Sequence, residues 1–167
     1  YRDVERDENG CFIPSEGMVK LAVIERHHAT GSMAVGILEG LGIKHGAVAS
    51  TVAHDSHNLV VAGDNDEDML MAIESLRDCG GGYSVVSRGV VLARLPLPIA
   101  GLMTAAPVND VLEIQQALLD ALYSLGAKRD SDPLIALSFM ALPVIPAVKL
   151  TDDGLFDAVN FKFIKYN

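Results

Sequence analysis

The sequence has no tryptophan, and aromatic residues make up only 5% of it. Any core must therefore be aliphatic, built from Val, Leu, Ile, Ala and Met. Cysteine is almost as scarce. Cys11 and Cys79 are too few and too far apart for a disulfide framework or a Cys-based zinc site, and are expected to be free thiols in a reducing compartment. Basic residues are outnumbered, 13 Lys and Arg against 22 Asp and Glu, for a formal charge of -9. With no basic stripe anywhere, nucleic acid and anionic membrane are excluded as partners. Long uninterrupted apolar runs are also missing: the most apolar stretch, Pro133 to Val148, is broken by Pro143 and Pro146 and falls short of a membrane span. The opening Tyr1-Arg-Asp-Val-Glu-Arg-Asp-Glu is charged from its start and does not resemble a signal peptide. A cytoplasmic location is the expectation left.

What is present fits one domain: 167 residues, half of them hydrophobic, are enough to bury a proper core. Residues 1–17 read as a leader or as the end of a preceding domain, and residues 18–167 as the domain itself. The abrupt start hints at a longer parent chain. The rest is organised around Gly46 to Gly63, two apolar runs with the polar loop His54-Asp55-Ser56-His57-Asn58 between them. Ala47 to Ala53 and Leu59 to Ala62 are predicted as buried strands, so the histidines fall at a strand junction, held rigidly yet able to reach a ligand.

Three chemistries suit that loop. Two imidazoles three apart with a carboxylate could ligate a metal. The carboxylate could instead orient a histidine that moves protons to or from a substrate. Or the loop is a polar turn, its Asp, Ser and Asn bonding their own backbone. A second histidine pair, His27-His28, also follows an apolar run, Leu21 to Ile24.

Along the chain, Met18 to Ile24 is a predicted strand that delivers Glu25, Arg26, His27 and His28. Ala29 to Gly42 mixes helical apolar spacing with glycines, so any helix there is short or closely packed; Gly31 and Gly36 do not make a Gly-x-Gly-x-x-Gly fingerprint. Asp64 or Asn65 caps a helix whose first turn holds Asp66, Glu67 and Asp68, and Gly80-Gly81-Gly82 stops it. Tyr83 to Leu95 is a hairpin around Arg88-Gly89. Ile99 to Met103 is an apolar loop placed against the core or a partner. Asn109 caps a helix over Asp110 to Leu125, Asp132-Pro133 opens another through Leu142, and Val148 to Ile164 supplies a last strand or hairpin. The sum is an α+β domain, with a mixed, largely antiparallel sheet of about six or seven strands and about four packed helices.

Five blocks then carry a resemblance: Ala22 to Gly31, Gly46 to Asn58, Asn65 to Met69, Leu95 to Met103 and Leu137 to Pro146. In this order they resemble the C-terminal domain of bacterial adenine deaminase, of the amidohydrolase superfamily, over about Met18 to Asp157. The resemblance implies hydrolysis of adenine to hypoxanthine and ammonia in purine salvage. It implies divalent metal, manganese or iron, held in a (β/α)₈ barrel that precedes this domain, and none bound by this chain. It makes that barrel a partner and a homo-oligomer the expected state. His54, Asp55 and His57 become candidates for substrate contact or proton relay, and Ser56, Asn58, Arg26 and His27 candidates for substrate binding. The sequence lacks the barrel and its His-x-His strand, so the chain is expected to complete or cover an active site without forming one alone. The alternative is a non-catalytic module that packs on the barrel and holds an oligomer together, its polar loop bonding internally.

Overall fold

The computed structural model describes residues 4–15 and 17–165. Residues 1–3 and 16, part of the expected leader, lie outside them. Nine strands and three helices are present among the described residues: β1 (Met18–Ile24), β2 (Met33–Glu39), β3 (Ala47–Ser50), β4 (Leu59–Gly63), α1 (Asp66–Cys79), β5 (Gly82–Ser87), β6 (Val90–Pro96), α2 (Val108–Ser124), α3 (Pro133–Ser138), β7 (Val148–Thr151), β8 (Gly154–Asp157) and β9 (Lys162–Phe163).

The expected α+β class holds, but the strands divide between two sheets. Six form one sheet in the order β2-β1-β4-β3-β5-β6, and β7, β8 and β9 form another. Every pairing in both is antiparallel, where a mixed sheet was expected. Every residue of β3 and β4 is buried, which is why these two strands read as continuous apolar runs rather than alternating ones.

The two faces of the main sheet differ in side-chain size. Ala22, Ala47 and Ala49 lie with Val61 and Val86 on the face covered by Met69, Ala72 and Leu76 of α1. Val19, Leu21, Val23, Val48, Val60 and Val85 lie on the other, packed with Leu118 and Leu122 of α2, Leu134 and Leu137 of α3 and Leu150 of β7. Small side chains let α1 approach closely. Leu76, Leu118, Leu122 and Leu137 are at most 1% exposed, and burying each contributes about 1.5–3 kcal/mol.

Local signals account for most boundaries. Asn65 caps α1 by accepting from Asp68 N at 2.8 Å, and Gly80 ends it with φ 82°. Asp132 caps α3 with Pro133 in its first turn. The Arg88-Gly89 turn has φ 50° and 74°, the left-handed pair a tight hairpin needs. The Asp68 carboxylate, only 2% exposed, accepts from Arg88 N at 3.0 Å and Gly89 N at 2.8 Å. It thereby ties the start of α1 to that turn.

Three expectations are corrected. Residues 29–42 hold no helix: β2 pairs along the whole of β1, and its exposed Met33, Val35 and Ile37 alternate with less exposed positions in the period of a strand. Glycines 31 and 40, at φ 77° and 97°, make the turns that flank it. The second correction is the cap of α2, which is Pro107, with Asn109 inside the helix. The third is α3, which ends at Ser138 rather than Leu142, leaving three helices instead of about four. Pro143 disfavours helix at Leu142, and Met140 O accepts from Leu150 N at 3.2 Å, drawing the chain toward β7.

Candidate functional site

Antiparallel order decides what meets what. The end of β1, the end of β3 and the start of β4 all lie at the same end of the main sheet, because Ile24 is paired with Leu59 and Val60 with Ser50. The start of β5 and the end of β6 join them, since Ser50 pairs with Tyr83 and Gly82 with Pro96. Four connections therefore converge: 25–32, 51–58, 80–81 and 97–103. All the candidate residues lie on the first two.

Arg26 binds three of these connections together. Its Nε donates to His57 O at 2.6 Å and its Nη2 to Ala100 O at 2.9 Å. Its guanidinium lies so close to Gly101 that a β-carbon there would stand 3.0 Å from both terminal nitrogens. Thr51, 3% exposed, completes the brace by donating to Gly101 O at 2.6 Å and accepting from Gly82 N at 2.8 Å. Gly82 has no space for a side chain: its β-carbon would sit 1.9 Å from Leu95 O, at φ 131°.

His27 reaches the loop as well, its Nε2 donating to Ser56 O at 2.7 Å. Glu25 shapes the turn from which both residues project. Its carboxylate accepts from the backbone of His27, of His28 at 2.8 Å and of Thr30 at 3.1 Å. Those bonds, the one from Thr30 foremost, hold its pKa at about 2 against the opposing effect of desolvation.

Within the loop, His57 adopts φ 51°, and its ring Nδ1 accepts from Ala53 N at 3.2 Å while its own N donates to Ala53 O at 2.6 Å. His54 stacks on Phe139 at 5.1 Å and meets the His57 ring edge-on at 5.6 Å. Asp55 stands 4.0 Å from His54 Nδ1 with its side chain 85% exposed. Burial first, then the neighbouring His54 and Arg26, pushes the His57 pKa below its ordinary value; Asp55 opposes them.

Ser56 and Asn58 turn to other partners. Ser56 Oγ accepts from Asn58 N at 3.3 Å, and the 4%-exposed Asn58 donates through Nδ2 to Asp152 Oδ1 at 3.0 Å, on the β7–β8 turn. Asn58 Oδ1 is buried without a partner among the described residues. Phe139, Thr51, Ala100, Gly101 and Asp152 escaped the sequence reading. The apolar loop Ile99 to Met103 and a strand or hairpin over Val148 to Ile164 are legible in the sequence, but nothing local ties them to the histidines.

Among the described residues no group of three or more His, Cys, Asp or Glu is placed to hold a metal ion. The polar surface here suits hydrogen bonding to a ligand or proton relay. A separate hollow of about 560 Å³ lies between β1, β2 and α1, lined by Ala22, Val35, Val61 and Met69; it is apolar and carries none of the candidate residues.

Comparison with known proteins bears on the family. The chain matches the family described as adenine deaminase C-terminal domain over residues 2–162. It is 58% identical over 163 residues to an adenine deaminase of Nitratidesulfovibrio vulgaris (strain DP4), covering 97% of this chain and 28% of that protein. It is 51% identical over 159 residues to adenine deaminase 2 of Carboxydothermus hydrogenoformans, covering 94% and 28%, and 50% identical over 159 residues to an adenine deaminase of Halalkalibacterium halodurans, covering 94% and 27%. The chain thus spans about 28% of the length of the curated relatives it matches. With the match running over almost its whole length, the chain belongs to the adenine deaminase C-terminal domain family.

Proposed function

We propose that the chain is the C-terminal part of an adenine deaminase and that the four-loop end of its main sheet completes or covers the active site of the whole enzyme. The reaction is then hydrolysis of adenine to hypoxanthine and ammonia, in purine salvage, by a cytoplasmic enzyme of the amidohydrolase type. Residues 18–167 are the domain and residues 1–17 a leader or the end of a preceding domain.

The observation that carries this reading is the brace. Arg26, Thr51 and His27 fix the loop from outside it, while His54 and Asp55 keep exposed polar atoms. Bracing from outside fixes where the loop presents those exposed polar atoms. His54, Asp55 and His57 touch substrate or relay a proton, Arg26 and His27 set the loop's position as well as bordering it, and Ser56 and Asn58 anchor its far side.

The divalent metal this reading calls for, manganese or iron, does not fit the residues present. His27 Nε2 and His57 Nδ1 are already engaged by backbone groups, and no three-ligand cluster forms among the described residues. The ion belongs to the barrel.

The test is Asp55→Ala in the full-length enzyme. Turnover falls tenfold or more, an energy above about 1.4 kcal/mol. Its melting temperature hardly moves, because so exposed a carboxylate stabilises little. The 167-residue chain alone, given adenine and manganese or iron, releases no ammonia. Full turnover in Asp55→Ala, or chelator-sensitive ammonia release by the chain alone, would refute the proposal.

A second reading, the packing and oligomerisation module, is favoured by exposed apolar surface. Met33, Val35 and Ile37 lie along edge strand β2, Val90 and Leu92 along edge strand β6, and Ile99 and Met103 beside Arg26. Full turnover with a lowered melting point in the loop variants would support it, as would self-association of the chain in sedimentation.

A further inference from the structure

We infer that His57 acts as a fixed hydrogen-bond donor through Nε2–H, and not as a general base, toward a neutral acceptor such as a heteroaromatic ring nitrogen. The inference rests on the proposed reading that this loop faces the active site, and it assigns one histidine a definite role there.

The argument begins from Ala53 N–H, which can only donate. It lies 3.2 Å from His57 Nδ1, so that nitrogen must offer its lone pair. A neutral imidazole carries one ring proton, which then sits on Nε2. Nε2 has no partner among the described residues. A general base working through Nε2 needs the opposite tautomer, with the proton on Nδ1, and that would set two N–H groups against each other.

The backbone enforces the choice. Both polar groups of Ala53 engage His57, since His57 N donates to Ala53 O at 2.6 Å. Arg26 Nε holds His57 O at 2.6 Å, and the left-handed φ of 51° at His57 is what lets one residue close all three bonds. The ring cannot turn away without leaving the part-buried Ala53 N–H unpaired.

Burial first, and then most of the neighbouring charges, disfavours the charged form of the ring. His54 and Asp55 face it from its own loop, and Arg26 and His27 from the end of β1. Of these four only Asp55 favours the imidazolium, and it is largely solvated. Protonation would also fall on Nδ1 and break the Ala53 bond. A neutral N–H near the Arg26 guanidinium complements a lone pair in the plane of an aromatic ring, the kind of acceptor a purine edge presents.

The experiment uses the full-length enzyme with His57→Gln, whose amide nitrogen replaces Nε2–H but cannot take a proton, and His57→Asn, whose carbonyl replaces Nδ1 and whose amide nitrogen falls short of the Nε2 position. The Asn variant keeps its melting temperature and loses tenfold or more of kcat/KM, whereas the Gln variant stays within about fivefold of wild type. If Gln is as impaired as Asn while Asp55→Ala also loses turnover, the loop faces the site and the donor role is wrong. If neither His57 variant affects turnover, the inference falls with the reading beneath it. Should the Gln variant fail to fold, imidazole ¹⁵N NMR of the wild-type enzyme near neutral pH decides: a His57 Nε2–H signal supports the assignment, and an Nδ1–H or imidazolium signal overturns it.

Discussion

Replacing Arg26 by alanine removes the tie between the histidine loop and the Ile99–Met103 segment. Two hydrogen bonds disappear, to His57 O at 2.6 Å and to Ala100 O at 2.9 Å. Bonds from a charged donor contribute about 1.5–3 kcal/mol each, but the second lies at the surface and belongs at or below the low end, so the loss is about 2–4 kcal/mol. For a chain of this size, that lowers the melting temperature by roughly 5–12 °C. A lysine reaches one of the two carbonyls, so Arg26→Lys recovers about half of the loss. Calorimetry of the 167-residue chain measures the total. Amide exchange locates it: protection falls at His57 N, which donates to Ala53 O, and holds in β4, whose residues are buried. Alanine and lysine variants that both melt within about 1 °C of wild type would show that Arg26 braces nothing. Lost protection in β4 as well would show that the arginine supports the whole sheet and not this loop.

Two further substitutions test the frame on which the loops sit. Burial alone would raise the Asp68 pKa, but bonds from Gly89, Asn65 and Arg88 more than offset it and the net direction is downward. A carboxylate with a lowered folded-state pKa stabilises above its unfolded value of about 3.9, and that contribution is lost as pH falls through the folded value. Asp68→Asn therefore lowers the melting temperature at neutral pH, and the gap to wild type narrows below about pH 4; a gap independent of pH would contradict the assignment. Gly82→Ala places a β-carbon 1.9 Å from Leu95 O at φ 131°, where an L-residue is strained, and is expected to cost more than about 3 kcal/mol. Equal denaturation midpoints for Gly82→Ala and wild type would disprove the close approach of β5 and β6.

The chain's local chemistry determined a good deal of this structure. Continuous burial in β3 and β4 was legible because Ala47 to Ser50 and Leu59 to Gly63 carry no charged side chain and only one polar one, the small Ser50. Asn65, Gly80, Arg88-Gly89 and Asp132-Pro133 punctuate at the places where caps and turns require them. Each of these signals acts over four or five residues, so one segment suffices to show it.

Pairing is different, because it is chosen between segments far apart in the chain. The apolar residues of 33–39 satisfy a helical count on their own, and only the free edge of β1 makes them a strand. The division into two sheets likewise depends on β7 and β8 finding the far side of β2, not on their own sequences. For the candidate site, the polar loop could be found from composition, since five polar side chains sit between two apolar runs. Its partners could not. Arg26 lies 31 residues from His57 and 74 from Ala100. Phe139 and Asp152 lie farther along the chain still, just past the end of α3 and on the β7–β8 turn. Only the antiparallel order β1-β4-β3-β5 brings those carbonyls within reach of one guanidinium. The tautomer of His57 is set the same way, by the geometry of a closed loop that no spacing of residues expresses.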